Sequence, residues 1–219
     1  MGDKLRLRFS KTGKAKYISH LDLMSTMQRA LLRAGVELDY SQGYNPHPYM
    51  SVALPLPVGC GSVCELMDIG TVSRYIPDVL AGNISAALPQ GLQVLEIYKP
   101  ERKFSGIVWL ELKGAFYYDK GMPPDAVERL TERYKAHSII IQKRTKSGVS
   151  DIDIAASIHD VVLTDNGELT IIARVSAQNP TISPENLLSA LDGENNTLRP
   201  DFALFTRTEI FDANMTIFR

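Results

Sequence analysis

The order of predicted strands and helices in the first half of the chain constrains its fold more than any other feature of the sequence. Residues 4–9 alternate apolar and cationic side chains, the period-2 pattern of a strand with one buried and one cationic face. A helix follows, with Ser19 as its N-cap, Asp22 at its third position and Gly35 at its end. Its apolar stripe consists of Leu23, Met24, Met27, Leu31 and Ala34.

The segments that follow complete a βαββαβ order. A short strand is predicted at residues 36–40 and extended segments at 50–56 and 63–71. A helix over 73–88 and a strand over 92–98 come next, with Pro77 in the first turn of that helix. This order is typical of the ferredoxin-like arrangement, a four-stranded antiparallel sheet with both helices on one face.

The second half of the chain has a similar order after a charged, proline-containing linker at residues 99–105. Its helices are predicted at 124–136 and 183–191, and its strands at 106–115, 138–144, 154–164, 169–176 and 203–211. The tripeptide Asp165-Asn166-Gly167 predicts a hairpin turn. We therefore expect an α+β protein of two ferredoxin-like halves, residues 1–100 and residues 105–219, with the functional site in the first.

Composition and cysteine content indicate where such a protein works. The 219 residues are 44% apolar and 22% charged, which is ordinary for a folded globular chain. The N-terminus lacks the apolar stretch of a secretory signal, and no run approaches the roughly 18 apolar residues that cross a bilayer. Two cysteines, Cys60 and Cys64, fit a reducing compartment. We expect a cytoplasmic protein with no membrane partner, and the oligomeric state stays open.

Charge is distributed unevenly along the chain. The whole chain carries a net charge of −1, but residues 1–33 carry +6, which leaves −7 for the remainder. The cations of this segment are Lys4, Arg6, Arg8, Lys11, Lys14, Lys16, Arg29 and Arg33. Such asymmetry indicates an anion-binding surface, although a solvated strand and helix face would give the same pattern.

Two short segments, residues 16–23 and 40–48, contain most of the polar and aromatic side chains suited to binding. A helix start near Ser19 offers free backbone N–H groups, and lysines precede it. The second segment adds glycine, asparagine and tyrosines of the kind that stack on unpaired bases. We predict one corner that binds nucleic acid or another anion, made of Lys14, Lys16, Ser19, His20, Tyr40, Gly43, Tyr44, Asn45 and His47.

The same segments carry a family resemblance. They read KYISHLDLM and YSQGYNPHP, with ALPLPVG soon after the second, and this pattern resembles the radical-SAM-linked protein family (DUF2344). That family is a domain of unknown function fused to, or encoded beside, radical SAM proteins. The resemblance implies an accessory role in RNA modification or processing with a radical SAM partner. Cys60 and Cys64 reproduce the first spacing of the radical SAM cluster motif, but the third position is Met67, so we expect no cofactor.

Three functions remain open at this point. The leading hypothesis is an RNA-binding accessory module without catalytic activity of its own. The second is a metal-independent endoribonuclease, in which His20 or His47 transfers protons and Lys16 stabilises charge on the phosphate. The third is a protein-interaction scaffold. A metal site formed by His20, Asp22 and His47 is a further alternative to our prediction that no metal is bound.

Overall fold

The computed structural model describes residues 3–145, 148–192 and 197–219. Over these residues the chain is an α+β protein in which antiparallel β-sheet predominates, with four α-helices. It divides into two units: an N-terminal unit that runs to Gly106 and includes Arg219, and a C-terminal unit, Ile107–Phe218. Among the described residues, every helix is too short or too polar to span a membrane.

The N-terminal unit contains four strands and two α-helices. In chain order they are β1 (Asp3–Lys11), α1 (His20–Arg33), β2 (Met50–Val52), β3 (Gly61–Thr71), α2 (Pro77–Ala87) and β4 (Leu92–Tyr98). The strands lie in the order β4-β1-β3-β2, and every neighbouring pair is antiparallel. Each helix therefore connects two strands that are separated in the sheet by a third.

The core of this unit lies between the sheet and its two helices. Alternate residues of β1 and β3 are buried in it together with the inner faces of α1 and α2. The largest contributions come from Leu5, Leu7, Phe9, Met27, Leu31, Met67, Ile69, Leu80 and Ile84. Because side chains alternate along a strand, the neighbouring residues of β1 and β3 lie on the other face of the sheet, away from the helices.

That other face differs from the predicted one. The sequence pattern predicts a cationic strand face formed by Lys4, Arg6 and Arg8, but Arg6 is 0% exposed. Arg6 forms a two-point ion pair with Asp68 of β3, from Nε to Oδ1 at 2.6 Å and from Nη2 to Oδ2 at 3.0 Å. The prediction was wrong for Arg6, although Lys4 is exposed, because period-2 alternation assigns a residue to a face of the sheet without saying whether that face is covered.

The C-terminal unit contains six strands and two α-helices. They are β5 (Trp109–Tyr117), α3 (Ala126–Tyr134), β6 (Ile140–Thr145), β7 (Gly148–Asp153), β8 (Ile158–Asp165), β9 (Leu169–Ser176), α4 (Pro184–Ser189) and β10 (Phe202–Phe211). Four strands lie in the order β10-β5-β9-β8, all antiparallel, and β6 and β7 form a separate two-stranded sheet. The Tyr134 hydroxyl of α3 donates to the Leu187 carbonyl of α4 at 3.0 Å, and burial raises its pKa.

Local sequence signals hold well where they depend on neighbouring residues. Pro77 begins α2, and Ser183 caps α4 in a reciprocal capping box. The predicted strand at 36–40 is instead an extended segment with isolated bridges, and the extended segment at 50–56 is a strand only over Met50–Val52. Strand β7 was not predicted, because its mostly exposed residues lack an apolar alternation.

Candidate nucleic-acid interface

The first predicted segment, residues 16–23, runs from the end of a turn that follows β1 into the first turn of α1. Residues Gly13–Tyr17 form a 3-10 turn, in which Lys14 is exposed and Lys16 is half-buried. The Lys16 ammonium lies 5.1 Å from the centre of the Tyr17 ring, within range of a cation–π contact. Among the described residues, neither lysine has a carboxylate partner, so both charges are available to an anionic ligand.

Three contacts hold this turn. The Thr12 N–H donates to the Gly91 carbonyl at 2.8 Å, and the Gly59 N–H donates to the Lys16 carbonyl at 2.9 Å. In addition, the ammonium of the buried Lys11 side chain donates to the Ile18 carbonyl at 3.2 Å. The Gly59 contact brings the ALPLPVG stretch against the first segment, close to the start of β3.

The beginning of α1 is capped as the sequence predicts. The Ser19 Oγ accepts a hydrogen bond from the Asp22 N–H at 3.1 Å and donates one to the Asp22 carboxylate at 2.8 Å. Such a cap stabilises a helix by about 1 kcal/mol. It also places a carboxylate at the helix end predicted for anion binding, where its charge opposes a phosphate. His20, the first residue of the helix, is exposed.

The second segment, residues 40–48, lies in an exposed loop that runs from Tyr40 to Tyr49, the Tyr40–Tyr49 loop. At its base the Ser41 N–H donates to the His47 carbonyl at 2.8 Å, and the His47 N–H donates to the Ser41 Oγ at 2.9 Å. Every residue from 42 to 47 is exposed, including Gly43, Asn45 and His47, and Tyr44 is exposed over its whole surface. Tyr40 and Tyr49, at the two ends, are exposed by 36% and 52%.

The structure does not bring the two segments together. Lys16 is hydrogen-bonded to Gly59, two residues before the start of β3, whereas Tyr49 is hydrogen-bonded to Gly70, one residue before its end. A strand rises roughly 3.3 Å per residue, so the segments lie on the order of 30 Å apart along β3. His20 and His47 therefore belong to separate surfaces and do not form a two-histidine site.

A pocket that the sequence did not reveal lies beside the Tyr40–Tyr49 loop. Its frame is a ring of three backbone hydrogen bonds: Asp39 N–H donates to Gly70 O, Gly70 N–H to Tyr49 O, and Tyr49 N–H to Asp39 O, at 2.8–2.9 Å. A Cβ on Gly70 would lie 3.1 Å from the Tyr49 Cβ and 3.4 Å from the Asp39 Cβ. The side chains of Asp39 and Tyr49 therefore pack closely on either side of Gly70.

This Asp39 pocket has a volume of about 440 Å³, and its lining consists of Asp3, Lys4, Asp39, Pro48, Tyr49, Met50, Ser51, Asp68, Ile69 and Gly70. Two of its three carboxylates face cations: Asp68 pairs with Arg6 and with Lys4 at 3.0 Å, and Asp3 lies 3.7 Å from Arg74. Asp39 has no side-chain partner among the described residues. One sequence signal indicates this pocket, which is that Asp39 and Tyr49 border the tyrosine-rich loop. The rest of the frame could not be predicted, because the position of Gly70 beside them depends on strand register.

The side chains that could bind a metal ion are the histidines, cysteines and carboxylates. Within the ranges given above, no three or more His, Cys, Asp or Glu side chains are grouped as metal ligands would be. Cys60 and Cys64 are both buried thiols, and Cys64 lies 3.6 Å from the Ser62 hydroxyl. The alternative set of His20, Asp22 and His47 is divided between the two segments.

Fold and geometry thus define an antiparallel α+β protein with a candidate binding surface on its N-terminal unit. The chain belongs to a family of uncharacterized proteins conserved in bacteria (DUF2344), whose model matches residues 4–186. No curated protein matches the chain. Among solved structures, an unknown protein from Galdieria sulphuraria aligns with 94% of this chain and 98% of its own, at 10% identity and a TM-score of 0.27. A similarity at that level carries no argument about fold or function.

Proposed function

We propose that the protein is an RNA-binding accessory module that contacts single-stranded RNA through its N-terminal unit. The observation that carries this proposal is the exposed Tyr40–Tyr49 loop, in which Tyr44 presents its whole ring to solvent. An exposed aromatic ring costs free energy in water and offers a stacking face to an unpaired base. An exposed glycine- and proline-containing loop places that face where a strand of RNA can reach it.

The cations of the Lys14–Lys16 turn support the same proposal. Both ammonium groups lack a carboxylate partner among the residues described, and the turn that carries them is fixed by backbone contacts. Lysines of this kind contact phosphates without regard to sequence. An RNA strand that touches both the turn and the loop would span roughly 30 Å, with phosphates bound at one end and bases stacked at the other.

A radical SAM protein is proposed as the partner, and RNA modification or processing in the cytoplasm as the setting. This part rests on the resemblance of the two segments to the radical-SAM-linked family alone. An RNA-binding module beside such an enzyme would position the substrate, while the enzyme supplies the chemistry. The alternatives, an endoribonuclease and a protein scaffold, are separated from it by the experiments below.

We also propose that both units are ferredoxin-like domains, corresponding to residues 1–100 and 105–219. The strand order β4-β1-β3-β2, with helices after β1 and β3, supports this for the first unit. The order β10-β5-β9-β8, with α3 after β5 and α4 after β9, supports it for the second. In that unit the β6–β7 hairpin would be an insertion between α3 and β8.

Removing the ring of Tyr44 tests the stacking contact. Because a stacked base contributes about 1–3 kcal/mol, we expect Tyr44→Ala to raise the Kd for a labelled single-stranded RNA at least fivefold. The salt dependence of binding should stay the same, since no phosphate contact is lost. Fluorescence anisotropy at several salt concentrations measures both quantities. Tyr117→Ala, an exposed tyrosine of β5, is the matched control, and equal affinities of wild type and Tyr44→Ala would contradict the proposed interface.

Removing the two lysines tests the phosphate contacts by a different signature. Each phosphate contact with a single strand contributes about 0.7 to the slope of log K against log salt, so Lys14→Ala/Lys16→Ala should reduce that slope by about 1.4. Lys113→Ala/Lys120→Ala, which removes two exposed lysines of the C-terminal unit, is the control for net charge. An unchanged salt slope would show that the RNA phosphates bind elsewhere on the protein.

A cleavage assay tests the endoribonuclease alternative. If wild-type protein cuts RNA in the presence of EDTA and the His20→Ala variant does not, the result would favour the endoribonuclease.

A further inference from the structure

We infer that the Asp39 pocket binds a single unpaired nucleobase and selects guanine, an inference that rests on the proposed RNA-binding function. The pocket's volume of about 440 Å³ lies within the roughly 300–1,000 Å³ of small-molecule sites. It opens beside the Tyr40–Tyr49 loop, so a base unstacked from a strand on that loop has a cavity to enter.

The charges of the pocket favour a ligand that donates hydrogen bonds over a phosphate. Lys4 and Arg6 are both engaged by Asp68, and Asp3 lies beside Arg74, so Asp39 is the lining carboxylate left without a cation partner among the described residues. A phosphate placed beside Asp39 would meet its negative charge. A ligand that presents N–H donors meets the opposite situation, because the Asp39 carboxylate can accept hydrogen bonds and has no donor among the described side chains.

The side chains of Tyr49 and Asp39 offer a flat ring two kinds of contact in the pocket. Both pack closely against Gly70, where an added Cβ would lie 3.1 Å from the Tyr49 Cβ and 3.4 Å from the Asp39 Cβ, and both line the pocket. Tyr49 is 52% exposed, so a base in the pocket would stack on its ring and turn an edge toward the Asp39 carboxylate. The three backbone hydrogen bonds of the ring hold both side chains in place before the base arrives.

The carboxylate then discriminates among the four bases. The Watson–Crick edge of guanine carries two adjacent donors, N1–H and the N2 amino group, which match the two oxygens of a carboxylate. Adenine and cytosine offer one amino group beside an acceptor nitrogen that repels the carboxylate. Uracil offers one N–H between two carbonyls. Guanine should therefore bind best and uracil worst.

Four labelled pentaribonucleotides, UUGUU, UUAUU, UUCUU and UUUUU, test this selection by fluorescence anisotropy. We expect wild-type protein to bind UUGUU about tenfold more tightly than UUUUU, since hydrogen bonds to a charged group are involved. Asp39→Asn keeps the shape of the side chain but replaces one acceptor oxygen by a donor, and should bring UUGUU to the level of UUUUU with no change in salt slope. Asp78→Asn, an exposed aspartate of α2, is the control of equal charge. Tyr49→Leu should weaken all four complexes alike.

A second measurement separates this inference from the RNA-binding function. Guanosine, which has no phosphate, is titrated into isotope-labelled protein while the amide resonances of Gly70 and Tyr49 are followed, with uridine as the reference. Shifts with guanosine and not uridine would support the pocket even if the protein failed to bind RNA. Lysine-dependent RNA binding with equal affinity for the four pentamers, unaffected by Asp39→Asn, would overturn the pocket inference and leave the RNA-binding function standing. Shifts with tetra-arginine but not guanosine would overturn it in favour of a cationic partner.

Discussion

Replacing Asp68 with alanine is expected to lower the free energy of unfolding of the N-terminal unit by about 3–5 kcal/mol. The carboxylate is bonded at two points to Arg6, whose side chain is 0% exposed. The same guanidinium donates to the Arg102 carbonyl at 2.9 Å and lies 4.3 Å from the centre of the Phe104 ring, so it is confined on several sides. Without Asp68 it would remain buried with its principal counter-charge removed.

Hydrogen exchange of the β1 and β3 amides measures this effect in the N-terminal unit alone, which matters because a chain of two units need not unfold in one step. The control is the double variant Arg6→Met/Asp68→Leu, which removes both charges and fills the space with apolar groups. It should lose less stability than Asp68→Ala, because replacing a buried ion pair by apolar residues is often neutral. A loss below about 1 kcal/mol in Asp68→Ala would contradict the assignment of this pair as a main support of the sheet.

Gly91→Ala is expected to destabilise the same unit by about 2–4 kcal/mol. Gly91 has a φ of +93°, in the left-handed region, and a Cβ added to it would lie 2.5 Å from the Thr12 carbonyl oxygen. That oxygen belongs to the backbone, so it cannot rotate away as a flexible side chain would. The Gly91 carbonyl also accepts the Thr12 N–H, so the turn that carries Lys14 and Lys16 would shift with it.

Chemical denaturation of Gly91→Ala, followed by its RNA affinity under native conditions, measures the two consequences. Gly82→Ala is a matched control within α2, where nothing lies within 4 Å of the added Cβ. Alanine favours a helix over glycine by about 1 kcal/mol, so this variant should be slightly more stable than wild type. Equal stabilities of the two variants would show that the Gly91 backbone relaxes without cost.

The parts of the fold that could be predicted from sequence are those decided by adjacent residues. Ser19 and Gly35 delimit α1 because a cap and a left-handed stop act within one helical turn. Pro77 begins α2 for a similar reason, and the hairpin at Asp165-Asn166-Gly167 forms between β8 and β9 with Gly167 at positive φ. Each of these signals is complete within a few residues of sequence.

The candidate site was predicted less well because it depends on contacts between distant residues. Whether Arg6 is exposed depends on Asp68, 62 residues further along the chain. The Asp39 pocket needs Gly70 to lie beside both Asp39 and Tyr49, which follows from register and not from composition. The two segments that contain Lys16 and Tyr44 were predicted to form one corner because both are rich in polar and aromatic side chains. In the structure they lie at opposite ends of β3.

The ring of backbone hydrogen bonds that joins Asp39, Tyr49 and Gly70 has a consequence for how this protein can diversify. The frame of the pocket is made of main-chain atoms, so the two flanking side chains can change without loss of the hydrogen bonds that position them. Gly70 is the exception, because a Cβ at position 70 would press against the Tyr49 Cβ at 3.1 Å. A neutral or basic residue at position 39 would therefore convert the same frame to a different ligand, so that recognition can evolve in this pocket separately from stability.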